Sequence, residues 1–190
     1  MNKGLVVLAI ALGIGIGGAA HAQPVELEGI KIEPTVQVAG QALQLNGAGI
    51  RTRVFFKVYV AGLYVPQKST DASALLAQKG PRRVAIHMLR NVDADTFANS
   101  LVDGLKANHD EQQLASFKAQ TDALIANLKP IGEAKKGDAI FFEFTPEAGT
   151  RIVVNGEPRG NPIAGAEFFT AVLRIWLGSR PADSDLKKGL

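Results

Sequence analysis

The sequence predicts an α+β domain in which a large, mostly antiparallel sheet is covered by a layer of helices. Three observations carry this. Strand-like runs crowd the first half of the chain and return in its last third. Two amphipathic helical patterns follow one another in between. A nearly all-apolar helical segment then stands close to the end.

Residues 1–22 are set aside first. Met1-Asn2-Lys3 gives a short positive start, Leu5 to Ala20 is apolar, and Ala20-His21-Ala22 has the small-x-small pattern of a signal-peptidase cut before Gln23. The run is too short and too glycine-rich for a comfortable membrane span, so a cleavable signal, cut after Ala22, is expected to send residues 23–190 to a bacterial periplasm. Gly13-Ile14-Gly15-Ile16-Gly17-Gly18 matches the dinucleotide-binding glycine pattern. That pattern has meaning only between a strand and a helix, so here it carries nothing.

The remainder suffices for one domain with its own core. Val25 to Ile32 and Thr35 to Leu45 read as short strands separated by Pro34 and Gly40. Residues 46–65, NGAGIRTRVFFKVYVAGLYV, read as one long strand whose far end is marked by Gly62 and Pro66. Val54, Phe56, Val58 and Val60 line one face; Arg51, Arg53, Phe55, Lys57 and Tyr59 line the other. Pro81 precedes Arg83 to Val92, apolar on both faces and so expected inside the sheet.

The period then changes. Asp93 or Asp95 caps a helix carrying Phe97, Leu101 and Leu105. Asp110 and Gln113 form a capping box for a second, striped by Leu114, Phe117, Leu124, Ile125 and Leu128 and ended by Pro130. Asp138 to Thr145 and Thr150 to Asn155 return to strand, with a turn around Pro146 and Gly149, and Asn155-Gly156 is a strong hairpin dipeptide. Asn161-Pro162 opens a helix running through Leu177 and ended by Gly178, polar only at Glu167, Thr170 and Arg174; it is expected to be the most buried. A short helix near Asp183 to Lys188 closes the chain.

Composition excludes several functions. There is no Cys, so neither disulfides nor thiol chemistry arise. The net charge is +3, and the pairs Arg82-Arg83, Lys135-Lys136 and Lys187-Lys188 read as dispersed, solvated charge, not a nucleic-acid face. His87 alternates with apolar neighbours and reads as a core histidine; His109 reads as a cation at a helix C-terminus. No metal site and no cofactor are expected. No HExxH, P-loop or GxSxG occurs, and Asp93 and Asp95 are explained by capping.

Arg51 and Tyr59 remain. A buried arginine keeps its charge, so it implies a carboxylate partner from protein or ligand, and a tyrosine hydroxyl supplies a further donor. The wet face of an edge strand is the plainer reading of Arg51, Arg53 and Lys57, and it stays open. On a straight strand Arg51 and Tyr59 stand roughly 26 Å apart. A bend, bulge or hairpin must therefore join them if they share a ligand.

Gly47-Ala48-Gly49-Ile50-Arg51 and Lys57-Val58-Tyr59-Val60-Ala61-Gly62-Leu63-Tyr64-Val65 resemble the chalcone isomerase-like superfamily. Asp138 to Phe144, Gly149-Thr150, Val154-Asn155-Gly156, Phe168, Trp176-Leu177-Gly178 and Leu186-Lys187 resemble its bacterial secreted branch. The resemblance implies an open-faced β-sandwich, a large antiparallel sheet under a layer of helices. It also implies that Arg51 matches the arginine with which the plant enzymes hold and polarise substrate. The enzymes' threonine falls on Tyr59, their tyrosine and asparagine near Asp93 and on Ser100, and their last-helix hydroxyl on Phe169. Only Arg51 of that set carries over, which is poor provision for stabilising a phenolate.

An arginine with a tyrosine is, by the same resemblance, the pair with which fatty-acid-binding members hold a carboxylate. The leading expectation is a periplasmic, non-enzymatic binding protein for a small apolar acid, its carboxylate on Arg51 and Tyr59. Two alternatives stay open. One is an intramolecular lyase acting on a phenolic enone, with Arg51 catalytic. The other is a structural or interaction protein of the envelope, with Arg51 tied to Glu143 or Glu167.

Overall fold

The computed structural model describes residues 23–190. The signal-peptide expectation and the cut after Ala22 lie outside them. The first elements are a ribbon of β1 (Val25–Leu27) and β2 (Ile30–Ile32), followed by β3 (Thr35–Val38), β4 (Gln41–Arg53) and β5 (Phe56–Val65). A short helix α1 (Ala72–Ala77) leads into β6 (Arg82–Met88). β7 (Val92–Asp93) enters α2 (Ala94–Asn108), and α3 (Glu111–Ser116) and α4 (Lys118–Leu128) follow. β8 (Glu133–Ala134) pairs back on β7. The chain ends with β9 (Ala139–Thr145), β10 (Gly149–Val154), β11 (Glu157–Ile163), α5 (Ala166–Leu177) and α6 (Ser184–Gly189).

β3–β6 and β9–β11 form one antiparallel seven-stranded sheet in the order β11-β10-β9-β6-β5-β4-β3. β6 lies at its centre, as its two apolar faces require. One face carries the helices. Leu63, Val84, Ile86, Phe142 and Ile152 point into them and meet Phe97, Leu101, Leu124 and α5. The other face is only partly covered: Ile32 from the β1–β2 ribbon packs on Leu43, Leu45, Val60 and Tyr64. This is the expected α+β, open-faced arrangement.

Helix α5 is the centre of the core, because every apolar side chain from Phe168 to Leu177 is buried. Each large one contributes about 1.5–3 kcal/mol of transfer free energy. The local signals at helix ends work as the sequence implies. Asp93 caps α2 by accepting the Thr96 N–H at 2.9 Å. Asp110 and Gln113 close a reciprocal capping box at 2.8 and 3.1 Å. Asn155 and Gly156, at φ 52° and 87°, turn the β10–β11 hairpin.

Four expectations are corrected. The run 46–65 is not one strand; β4 and β5 fold on each other through a turn at Val54-Phe55. Folding back lets two long strands satisfy each other's backbone groups. The helix expected over 110–128 breaks at Phe117, which leaves α4 free to turn Leu124 and Leu128 into the core. Asn161-Pro162 belongs to β11, not to a helix start; β11 is an edge strand, where prolines remove no needed ladder bond. Finally, Arg82-Arg83 is not a solvated pair. Arg82 shares the helix-facing side of β6 with Val84 and Ile86 and is 1% exposed, and Arg83 is half-buried against Glu143.

Candidate functional site

The site is built from β4 outward. A Cβ at Gly47 would overlap the Gly189 carbonyl oxygen, and one at Gly49 would stand 3.0 Å from a Leu186 methyl. Glycine at both positions therefore lets α6 lie directly on β4. That contact seats Asp183, the N-cap of α6, beside the strand. Its carboxylate accepts the N–H of Thr52 at 2.8 Å and those of Asp185 and Leu186 at 2.8 and 3.0 Å. Desolvation works against the charged carboxylate. Those three N–H groups and the Arg51 charge outweigh it and hold Asp183 below its ordinary pKa.

The β4–β5 hairpin brings Arg51 and Tyr59 together. They are cross-strand partners in register, and the register slips immediately beyond them, before Thr52. The extra residue opposite is Val58, so Val58 and Tyr59 both reach the helix-side core. The Arg51 guanidinium carbon lies 5.5 Å from the Tyr59 ring centroid. Hairpin and bulge thus resolve the spacing that a straight strand leaves open.

Tyr59 is 1% exposed, and its hydroxyl oxygen accepts the Trp176 indole N–H at 2.9 Å. Burial pushes the phenol above its usual pKa of 10.0, while Arg51 and the Trp176 N–H pull in the opposite direction. Its own O–H proton has no acceptor among the described residues. The Arg51 Nε is likewise buried without a hydrogen-bond partner. The protein therefore matches the Arg51 guanidinium incompletely, and an anion can supply what is lacking only at the nitrogens that reach the surface.

Arg51 borders an open cavity of about 420 Å³ whose wall includes Val58, Val92 and Phe97. Arg53 and Arg90 stand on the same wall, Arg90 stacked 4.5 Å over the Phe56 ring. None of these three arginines forms an ion pair within 4.0 Å among the described residues. Tyr59 does not line the cavity; it stands behind Arg51. Asp93 and Ser100 do line it. The Ser100 hydroxyl donates to the Phe97 carbonyl at 2.8 Å, and Asp93 is occupied as a cap.

The internal partners expected for Arg51 are elsewhere. Glu143 sits on the opposite face of the sheet, paired to Arg83 at 2.5 Å, and Glu167 is exposed beside a different cavity. Alternation along β9 decides this, because Phe142 and Phe144 take the helix side. The carboxylate near Arg51 is Asp183, which the sequence places only near the start of the closing helix. Arg90, on the loop after β6, and Trp176 as the partner of Tyr59 are missed by sequence reasoning, since both contacts join residues far apart in the chain.

His87 is partly buried on the open face, edge-on to Phe141 at 5.9 Å, and desolvation lowers its pKa. The Nδ1 of His109 meets the Leu105 carbonyl at 2.9 Å at the C-cap of α2, as a helix-end histidine should. Among the described residues there is no cluster of three His, Cys, Asp or Glu that could hold a metal, and no helix is long and apolar enough to cross a membrane.

Comparison with known proteins agrees with this fold. A family described as chalcone isomerase-like matches residues 24–190. Among solved structures, a fatty-acid binding protein of Arabidopsis thaliana superposes with a TM-score of 0.65. The match covers 88% of this chain and 95% of that one at 12% identity, a likeness of fold. No curated protein matches the sequence.

Proposed function

This chain belongs to the chalcone isomerase-like family, and from that premise we propose that it is a periplasmic, non-enzymatic binding protein for a small apolar acid such as a fatty acid. The carboxylate is held at Arg51 with Tyr59 behind it. The observation that carries the reading is the Arg51 guanidinium at the wall of a partly apolar cavity, backed by its cross-strand partner Tyr59 and without an ion pair among the described residues. The Arabidopsis protein of the same fold, itself a fatty-acid binding protein by description, supports it. Arg53 and Arg90 add a positive field at the mouth that attracts acids and repels cations. The apolar tail lies against Val58, Val92 and Phe97.

Isomerase chemistry is less well provided for. It requires several fixed donors around a developing phenolate, whereas the Ser100 hydroxyl is already donating to a backbone carbonyl. Native mass spectrometry of protein taken from the periplasm is the first test, and a mature chain starting at Gln23 should be seen in the same spectrum. A co-purifying acid, and calorimetric binding of decanoate weakened by about 2 kcal/mol in Arg51→Ala, are expected. No bound acid and no decanoate binding would remove the proposal. Loss of chalcone absorbance faster than in buffer would favour the enzyme instead.

A further inference from the structure

Arg82, buried where Arg51 is only partly so, has no role in the site just described. Met88 is the register partner of Tyr59, and Arg82 stands at the other end of β6, roughly 20 Å along the strand. Arg82 is 1% exposed, and its Nε and Nη1 are buried without a hydrogen-bond partner. No carboxylate lies within 4.0 Å of it among the described residues. Its guanidinium carbon is instead 5.1 Å from each of the Phe144 and Phe169 ring centroids.

Beside it lies a cavity of about 620 Å³, larger than the one at Arg51. Leu76, Phe117, Phe144 and Ala171 supply apolar wall; Lys79 and Arg174 add positive charge, against a single exposed carboxylate, Glu167. Burial lowers the Arg82 pKa from 12.5 to about 10, so the group remains charged at neutral pH. A methionine would fill the space between the two rings without any of this desolvation. Two aromatic faces can hold a guanidinium in place, but they leave its N–H donors unmatched.

We propose that Arg82 anchors a second, separate ligand site, at the cavity between α1, α3 and α5, which takes a carboxylate carried on an apolar body. The Nη2 of Arg82 is the guanidinium nitrogen not among its sealed, unpartnered ones, so it is the donor that meets the carboxylate. The apolar body lies along Phe117, Leu76 and Ala171. Lys79 and Arg174 favour the acid's entry.

The test uses decanoate and the mature protein labelled with 15N-arginine, in the Arg51→Ala background so that the first site is silent. Decanoate is expected to move the Arg82 Nε resonance and to release heat at one site per chain. Arg82→Met should weaken that binding at least tenfold. Ala77→Trp, a change at the exposed mouth of the same cavity that leaves the core alone, should do so as well, so that a poorly folding Arg82→Met leaves the question decided. An unmoved Arg82 resonance, decanoate binding unchanged by Ala77→Trp, or inorganic phosphate binding as tightly as decanoate would each overturn the proposal. Wild-type protein that binds only through Arg51 would overturn it while leaving the first site standing.

Discussion

Tyr59→Phe tests the link between the core and the candidate site, because it removes one oxygen and leaves the ring in place. The Tyr59 side chain is 1% exposed, and so is Trp176, whose indole N–H finds its acceptor in that oxygen. Without it the N–H stays in the core unpaired, and water cannot reach it. The cost of such an orphaned donor is about 1–3 kcal/mol. Nearly all ring burial survives, so no cavity term is added. Urea unfolding followed by far-UV circular dichroism should therefore show a lower midpoint at unchanged slope. Trp176→Phe alone and in combination with Tyr59→Phe completes the cycle, and the coupling should be about 1 kcal/mol, with the double variant less destabilised than the sum. A Tyr59→Phe change below about 0.5 kcal/mol would refute the inference that Trp176 depends on Tyr59.

Gly47→Ala should lower stability by about 1–3 kcal/mol in thermal unfolding, because its methyl would meet the backbone of α6 and not a movable side chain. Asp183→Ala removes the α6 cap and should cost about 0.5–2 kcal/mol, with loss appearing near pH 7 and absent in acid where Asp183 is protonated. Val54→Gly should raise the unfolding free energy slightly, by about 0.5 kcal/mol, since valine at φ 59° is strained and the residue is 77% exposed. Alkaline pH gives a further check. Tyr59 is raised above 10.0 and Tyr64 is raised from 10.0 to about 12, both mainly by burial. A raised phenol contributes stability in full below the unfolded value and loses it as pH climbs toward the folded one. Phenolate absorbance should thus lag behind pH 10 in the native protein and rise with unfolding between about pH 10 and 12.

How much was legible follows the range of the interactions involved. Asp110 with Gln113, Asn155-Gly156, and the apolar run from Phe168 to Leu177 declare their structures within a few residues, and the fold realises them. The turn at Val54-Phe55 does not declare itself. Valine at positive φ is tolerated there because the pairing of Gln41–Arg53 with Phe56–Val65 stabilises the hairpin as a whole. Alternation read straight through that turn, and so it split apart an arginine and a tyrosine that the hairpin makes partners. The break at Phe117 was hidden in the same way, since its stripe continues across the break and only packing against Phe168 distinguishes the two helices.

Arg82 was misread for a different reason. Arg82-Arg83 after Gly80-Pro81 reads as surface charge, yet strand alternation places one arginine on each face of the sheet. On the open face Arg83 meets Glu143 and lies over Phe141, with its ring centroid 4.8 Å away. On the helix face Arg82 has two aromatic rings and no anion. Arg51 sits between these cases, its charge partly answered by nearby Asp183 and its Nε still unmatched. The three arginines therefore form a series: Arg83 is paired with a protein carboxylate, Arg51 has Asp183 nearby without an ion pair, and Arg82 has neither, while each keeps a buried Nε without a partner. Where the protein supplies least, a carboxylate from outside has most to gain, and the two of these guanidiniums without an ion pair are the two that border cavities.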